Sequence, residues 1–419
     1  MRRRSGIHRI LRALVPAAVL VVLAAGCGTP ADQEPAPPGP PTSLPVVPPT
    51  TPPVPSYAAT LRPPVVATMR ELRVPGAIVY VDYPGLGTWL TALGTGDLGT
   101  RAPMQVGDHM RIGSVTKTFT ATVVLQLVDE GRIGVDDPVA RYVAGVPNGD
   151  TITVRQLLDH RSGLYNYTDD LAFNAALDAN PGRVWTDAEV LAIAYAHPPV
   201  FPPGTAFQYS NTNYVLLGQI VEKVGGAPLA QLMRQRIFAP LGMADTTLPA
   251  PADSSIPAPH QRGYLYGNNV EGAQAYAAAQ AGNRAAAQVA AAPAAQPTDA
   301  TDWNPSYSSA AGAAISTVHD LEIWAQALAV GVLLAPQTQA RRLDFGDTEY
   351  GYGVDRSFGL LIGHNGAIPG FQTYMGYQPD RHVTIIVLTN LMLAPNTYLP
   401  DALPADRIAK VIQEQLLPT

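Results

Sequence analysis

The pattern of apolar and polar positions changes character three times along the chain. Residues 13–25 are apolar without interruption, residues 28–56 show neither helical nor strand period, and from about residue 57 the pattern becomes that of a folded domain. Leu61 to Arg73 reads as a helix stopped by Pro75-Gly76. Ala77 to Tyr83 (AIVYVDY) and Thr88 to Gly94 then read as strands joined through Pro84-Gly85, a natural hairpin. Near the other end, Phe371 to Gln378 and His382 to Asn390 (HVTIIVLTN) flank the turn Pro379-Asp380-Arg381, and Asp401 to Leu417 closes the chain as a helix. Between them, helical runs such as Ala121 to Asp129 and Tyr214 to Val224 each end near a glycine, Gly131 and Gly225, suited to a helix C-cap. The pattern predicts an α+β domain over 57–419: one antiparallel sheet built from both chain ends and flanked by helices, with a mostly helical subdomain, 116–300, inserted between. Within it, 268–300 is rich in Ala and Gln and nearly free of charge, and reads as a surface insertion, partly disordered or loosely helical.

Composition sharpens the picture at the N-terminus. The chain is 47% hydrophobic and 14% charged, ordinary for a folded enzyme. Five of its arginines fall in the first dozen residues, ahead of the apolar run, which is too short to span a bilayer. Residues 1–26 therefore read as an export signal. Cys27 is the only cysteine, so it forms no internal disulfide, and it directly follows Leu23-Ala24-Ala25-Gly26. This resembles a bacterial lipobox, which implies cleavage before Cys27, lipidation of its sulfur and a membrane-anchored protein facing the extracytoplasmic side. Residues 27–56 then form a tether: twelve of the 29 positions after Cys27 are proline, and extended polyproline chain at ~3.1 Å per residue gives it a reach of at most roughly 90 Å. The formal net charge is −6, with no Lys/Arg cluster outside the leader, which excludes a nucleic-acid partner. The eight histidines include no HxH or HExxH pair, so no metal is called for, nor any other cofactor.

The candidate chemistry lies in three segments. Ser114-Val115-Thr116-Lys117 opens a helix, so that Ser114 lies in the first turn and Lys117 three residues on, on the same face. A hydroxyl becomes a nucleophile when a neighbour takes its proton, and a desolvated amine can do so. The helix N-terminus adds partial positive charge where an oxyanion would develop. The chain carries only three lysines, at 117, 223 and 410, against 24 arginines. Arginine is effectively never deprotonated, so lysine at 117 points to proton transfer. Tyr209-Ser210-Asn211 follows 95 positions after Ser114: a phenol can relay a proton, and an amide can bind a substrate carbonyl and hold a lysine. Gly363-His364-Asn365-Gly366-Ala367, whose His364 comes 155 positions after Tyr209, lies at the end of a strand over Leu360 to Gly363, where a glycine lets a substrate backbone lie against the strand edge. Taken singly, Tyr209 also fits a half-buried packing residue and His364 a structural histidine.

The order and spacing of these segments resemble the penicillin-recognising serine enzymes: class C β-lactamases, DD-carboxypeptidases and family VIII carboxylesterases. The likeness covers essentially all of 60–419, including Arg111-Ile112-Gly113, the stretch from Leu157 to Leu164, Pro240-Leu241-Gly242-Met243, Gly312 to Ala327 and His364 to Phe371. It implies a β-lactamase/transpeptidase-like fold and a serine hydrolase in which Ser114 is acylated while Lys117 and Tyr209 shuttle its proton. Asn211, His364, Asn365 and Gly366 would bind substrate, and the backbone N–H groups of Ser114 and Ala367 would form the oxyanion hole. His160, inside a family turn motif, is expected to be structural. Two departures bear on the substrate. The third segment begins with His rather than Lys, which argues against an efficient β-lactamase, and Ala367 lacks the hydroxyl that carboxylate-binding members carry. With an ordinary pKa near 6.5, His364 would attract a terminal carboxylate only as an imidazolium, below about that pH. The leading expectation is DD-peptidase-type hydrolysis of D-amino-acid-containing peptides at the cell envelope, peptidoglycan included, by a monomer. Carboxylesterase activity comes second, and a non-catalytic penicillin-binding-like lipoprotein third.

Overall fold

The computed structural model describes residues 54–282, 296–395 and 403–417. The leader, Cys27 and the tether up to residue 53 lie outside the described residues, as does 283–295 of the Ala/Gln-rich segment. In chain order, helix α1 (Ser56–Glu71) is followed by strands β1 (Gly76–Tyr83) and β2 (Gly87–Gly94), and then by helices α2 (Thr116–Asp129), α3 (Leu171–Ala179), α4 (Asn211–Gly225), α5 (Asn269–Gln280) and α6 (Val318–Val330). Strands β3 (Asp355–Ser357), β4 (Leu361–Ile368), β5 (Phe371–Gln378) and β6 (Val383–Thr389) come next, and helix α7 (Pro404–Leu416) closes the chain. The six strands form one antiparallel sheet in the order β2-β1-β6-β5-β4-β3. The two ends meet where β1 pairs with β6, from Ala77↔Thr389 to Asp82↔Thr384. This is the α+β arrangement that the pattern predicts.

Side-chain alternation along the strands explains why both terminal segments are so apolar. On β1, Ile78 and Tyr80 join the large core shared with α2, α4 and α6, whereas Ala77, Val79 and Val81 face α1 and α7. On β6, Ile386 and Leu388 face the large core, and Val383, Ile385 and Val387 the other side. A sheet covered on both faces needs near-continuous hydrophobic strands, and HVTIIVLTN supplies one. β4 follows the same parity: Ile362 and Ile368 point into the large core and Leu361 toward the α7 side. Helix α2 runs through the middle of the large core, with Phe119 edge-on to Phe238 at 5.0 Å between ring centroids and tilted against Trp324 at 4.8 Å. Among the described residues, no helix is long and apolar enough to cross a membrane.

Three details depart from the sequence expectation. Ser114 sits in a 3-10 turn, Gly113–Val115, that leads into α2, not in the first turn of the α-helix itself. The 268–300 segment, expected as a partly disordered or loosely helical surface insertion, contains a helix that packs against the domain. α5 begins at the cap residue Asn268, its first N–H groups and the Asn269 amide donate to Asp178 at the end of α3 (2.7–3.1 Å), and Ala275 and Ala300 are fully buried against Leu265 and Leu393. Its alanines give no amphipathic stripe, which is why periodicity missed it. Finally, the Gly363-Ala367 segment lies inside β4 rather than after a strand. A Cβ at Gly363 would come within 1.9 Å of the Met375 carbonyl oxygen and 2.8 Å of the Gly376 Cα, so this glycine makes room for β5 and not for a substrate.

Because both of those contacts are backbone atoms that cannot rotate away, Gly363→Ala is expected to destabilise the fold by about 3 kcal/mol or more. A guanidinium unfolding midpoint that stays at the wild-type value would show that the β4–β5 approach is looser than described.

Candidate active site

The turn that carries Ser114 owes its shape to Gly113. This residue has φ 51°, in the left-handed region, and a Cβ there would lie 2.6 Å from the Ala367 backbone nitrogen. From the other side, a Cβ on Gly366 would lie 2.0 Å from the Ile112 carbonyl oxygen and 2.8 Å from the Ser114 nitrogen. Two glycines thus let the nucleophile turn and β4 touch backbone to backbone, bringing the Ser114 and Ala367 amides together.

In the first turn of α2, Lys117 is fully buried and its Nζ has three oxygen neighbours: Ser114 Oγ at 3.0 Å, Asn211 Oδ1 at 2.7 Å and the Ala311 carbonyl at 2.7 Å. Burial pushes its pKa well below the ordinary lysine value. Tyr209 hydrogen-bonds Ser114, and its ring centroid lies 4.9 Å from Lys117 Nζ. Burial drives the phenol well above its usual pKa, the Ser114 bond pulling the other way, so it stays protonated. Asn211 begins α4, with its N–H held by Asn166 Oδ1 (2.9 Å) and its Nδ2 donating to Thr168 Oγ1 (3.0 Å). These partners escaped sequence reasoning, since only the chain crossing in space brings 166–168 to 211. The fully buried His160 accepts at Nδ1 from the Ser210 N–H (3.2 Å) and from Asn213 Nδ2 (3.1 Å), and its ring lies 4.3 Å from that of Tyr209. It therefore braces the second segment from behind.

The third segment divides by strand parity. His364 faces the large core, only 1% exposed, with Nε2 accepting from Tyr350 Oη (2.9 Å) and Nδ1 donating to the Asn365 carbonyl (2.5 Å). Burial, aided by Lys117 nearby, lowers its pKa to about 3. Burial thus favours the neutral ring over the expected imidazolium that reads a substrate carboxylate, and the ring is turned toward Tyr350. Asn365 points to the opposite face, where its Nδ2 donates to Asp406 Oδ2 of α7 at 2.6 Å. The expectation that its side chain binds substrate beside Ser114 is corrected by the same alternation. Cys27 lies outside the described residues. Among the described residues, no group of three or more His, Cys, Asp or Glu side chains is arranged to hold a metal.

With this geometry in hand, comparison with known proteins is specific. The family profile described as Beta-lactamase matches residues 64–407. A solved D-stereospecific amidohydrolase from Streptomyces sp. is 32% identical with a TM-score of 0.71, over 87% of this chain and 100% of its own. Penicillin-binding protein 4* of Bacillus subtilis (strain 168) is 32% identical over 37% of this chain and 34% of its own length. Esterase EstB of Burkholderia gladioli is 32% identical over 45% of this chain and 51% of its own length. The chain thus spans about a third to a half of the curated relatives it matches.

The neutral state of the two buried histidines gives a spectroscopic expectation. Each is depressed by burial, so each stays unprotonated as pH falls from 8 to 5, while an unperturbed imidazole gains its proton near 6.5. In ring 15N spectra, signals assigned through His160→Gln and His364→Gln should not titrate over that range. A His364 midpoint near 6.5 would restore the charge-reading role.

Proposed function

The chain belongs to the Beta-lactamase family, and on that premise we propose that it is a serine hydrolase forming an acyl-enzyme on Ser114. The observation that carries the reading is the coordination of Lys117. A neutral amine has two N–H donors and one lone pair. Asn211 Oδ1 and the Ala311 carbonyl are acceptors only, at 2.7 Å each. They take both donors, which leaves the lone pair for the Ser114 hydroxyl at 3.0 Å. Lys117 then acts as the base and Tyr209, a neutral phenol, hands the proton on to the leaving group. The tetrahedral oxyanion is received by the Ser114 and Ala367 amides, and Asn211, with both amide ends engaged, orients Lys117 and the acyl group. Protonation of Lys117 removes the lone pair, so activity is lost as pH falls through its depressed pKa.

The substrate in this reading is a peptide or amide containing a D-amino acid, cell-wall peptides among them. Similarity to a D-stereospecific amidohydrolase and to a penicillin-binding protein supports it. A neutral His364 favours a carbonyl whose leaving group ends without a free carboxylate. The same observation favours the second reading, a carboxylesterase, in line with the similarity to EstB. One chain supplies every side chain of the constellation, so a monomer suffices for the chemistry. Export and lipidation at Cys27, with the Pro-rich tether holding the domain off an extracytoplasmic membrane surface, complete the proposal.

Ser114→Ala should abolish the adduct formed with a fluorophosphonate or a β-lactam, and Lys117→Arg should lower kcat by about three orders of magnitude or more, since arginine cannot accept the proton. Intact mass and turnover on a D-Ala-D-Ala peptide, a D-amino-acid amide, a p-nitrophenyl ester and a chromogenic β-lactam decide the class. An unmodified mass after long exposure of folded protein leaves only a binding role.

The native protein should also partition into detergent and membranes through a lipid on Cys27, and Cys27→Ala should release it to the soluble fraction. Recovery of native protein with an unmodified Cys27 thiol would refute the anchor.

A further inference from the structure

The reverse face of β4 carries a second polar arrangement that the chemistry at Ser114 does not use. Asn365 lies two residues before Ala367 and is held at two points. Its side chain donates to Asp406 Oδ2 in the first turn of α7 at 2.6 Å, and its backbone N–H donates to Asp355 on β3. On the neighbouring strand, Gln372 is the register partner of Ala367, is fully buried, and accepts through Oε1 from the Ala405 N–H at 2.6 Å. That N–H is one of the donors that a helix leaves unpaired at its start. The first turn of α7 therefore grips β4 and β5 on either side of the residue proposed to supply an oxyanion donor. β3 pairs only with Leu361 to Gly363, so among the described residues this outer edge of β4 has no strand neighbour beyond Gly363 to fix it.

We propose that Asp406 is a positioning residue for hydrolysis: through Asn365 it fixes the β4 segment that presents the Ala367 amide to the Ser114 oxyanion. The proposal rests on the acyl-enzyme reading above. Asp406 touches neither substrate nor nucleophile, and acts by the placement of a backbone donor, for which a displacement of about 1 Å is enough to lower kcat ~100-fold.

The carboxyl is also a titrating one. Burial pushes Asp406 up to about 7, with Asp355 adding to the rise and the Asn365 bond opposing it. Asp355 itself is raised to about 6 by burial against bonds from Ser357 and the Asn365 backbone. The other groups around the cleft are Tyr374 on β5, whose hydroxyl is neutral, the paired Glu349 and Arg356, and, next to Asp406 on α7, Arg407, which is engaged by Glu71. Above about pH 7 the ionised Asp406 accepts strongly from Asn365. As pH falls through that value it gains a proton, the bond weakens, and the oxyanion segment loosens.

Kinetics on the full chain test this with the substrate on which Ser114→Ala is inactive. Asp406→Ala should lower kcat about 10- to 100-fold with KM within about threefold. Asp406→Asn keeps an acceptor for Asn365, so it should fold like wild type, keep the loss of activity that protonation of Lys117 imposes, and lack the additional wild-type kcat inflection near pH 7 that Lys117 does not account for. The Asn365 side-chain amide signal should move through the same pH in wild type and stay fixed in Asp406→Asn. Unchanged kcat in a folded Asp406→Ala, or an Asp406→Asn profile that keeps the inflection, overturns the proposal. If Asp406→Ala does not fold, the Asp406→Asn profile and the amide titration decide alone. Residual turnover in Ser114→Ala would instead strike at the acyl-enzyme reading, and is thereby distinguished.

Discussion

Everything at this site depends on keeping one amine uncharged. An exposed lysine is protonated at neutral pH and has no lone pair to offer. Lys117 is fully buried, and no carboxylate is among its hydrogen-bond partners: it meets an amide oxygen, a backbone carbonyl and a hydroxyl. Desolvation disfavours the ammonium, and neutral acceptors compensate it less than an anion would, so the balance shifts toward the neutral amine. The same burial acts in the opposite sense on the phenol. Tyr209 becomes a poorer acid while Lys117 more readily stands as a neutral amine, and the proposed division of labour between them follows from their shared environment.

That environment requires two distant parts of the chain to close on each other. The α2 turn comes from the first third of the sequence and β4 from the last, and they meet across Gly113 and Gly366 at distances that leave no room for a Cβ on either. The sheet supports this approach because β1 and β6, from opposite ends, pair at its centre. Behind the contact, His160 backs Tyr209, and Asn166 and Thr168 hold Asn211, so each side chain near Ser114 is itself held by a second. Strand alternation sorts the third segment: His364 turns inward to Tyr350, and Asn365 turns outward to the first turn of α7. Two consecutive residues of one motif thus serve two faces of the sheet.

Much of this was legible in the sequence. The paired terminal strands showed as apolar runs of strand length, and Ser114 and Lys117 were readable as a pair because a helix brings i and i+3 together by geometry alone. The rarity of lysine in an arginine-rich chain marked Lys117 as chosen for its chemistry. The kinship of the Tyr209 and His364 segments to Ser114 was readable from order and spacing, though neither periodicity nor residue type by itself set them apart from packing residues. Where expectation failed, the deciding partner lay elsewhere in the chain. His364 was assigned an ordinary pKa because nothing near it in sequence foretells full burial against Tyr350 and Lys117. α5 was read as loose because an alanine helix has no stripe to announce the Leu265 and Leu393 surface that covers it. What the sequence by itself determined is which groups are present and which share a turn or a strand, since these follow from covalent spacing and local propensity. The tertiary structure alone decided which groups lose their water, and so which carry a proton, because desolvation comes from residues far away in the chain.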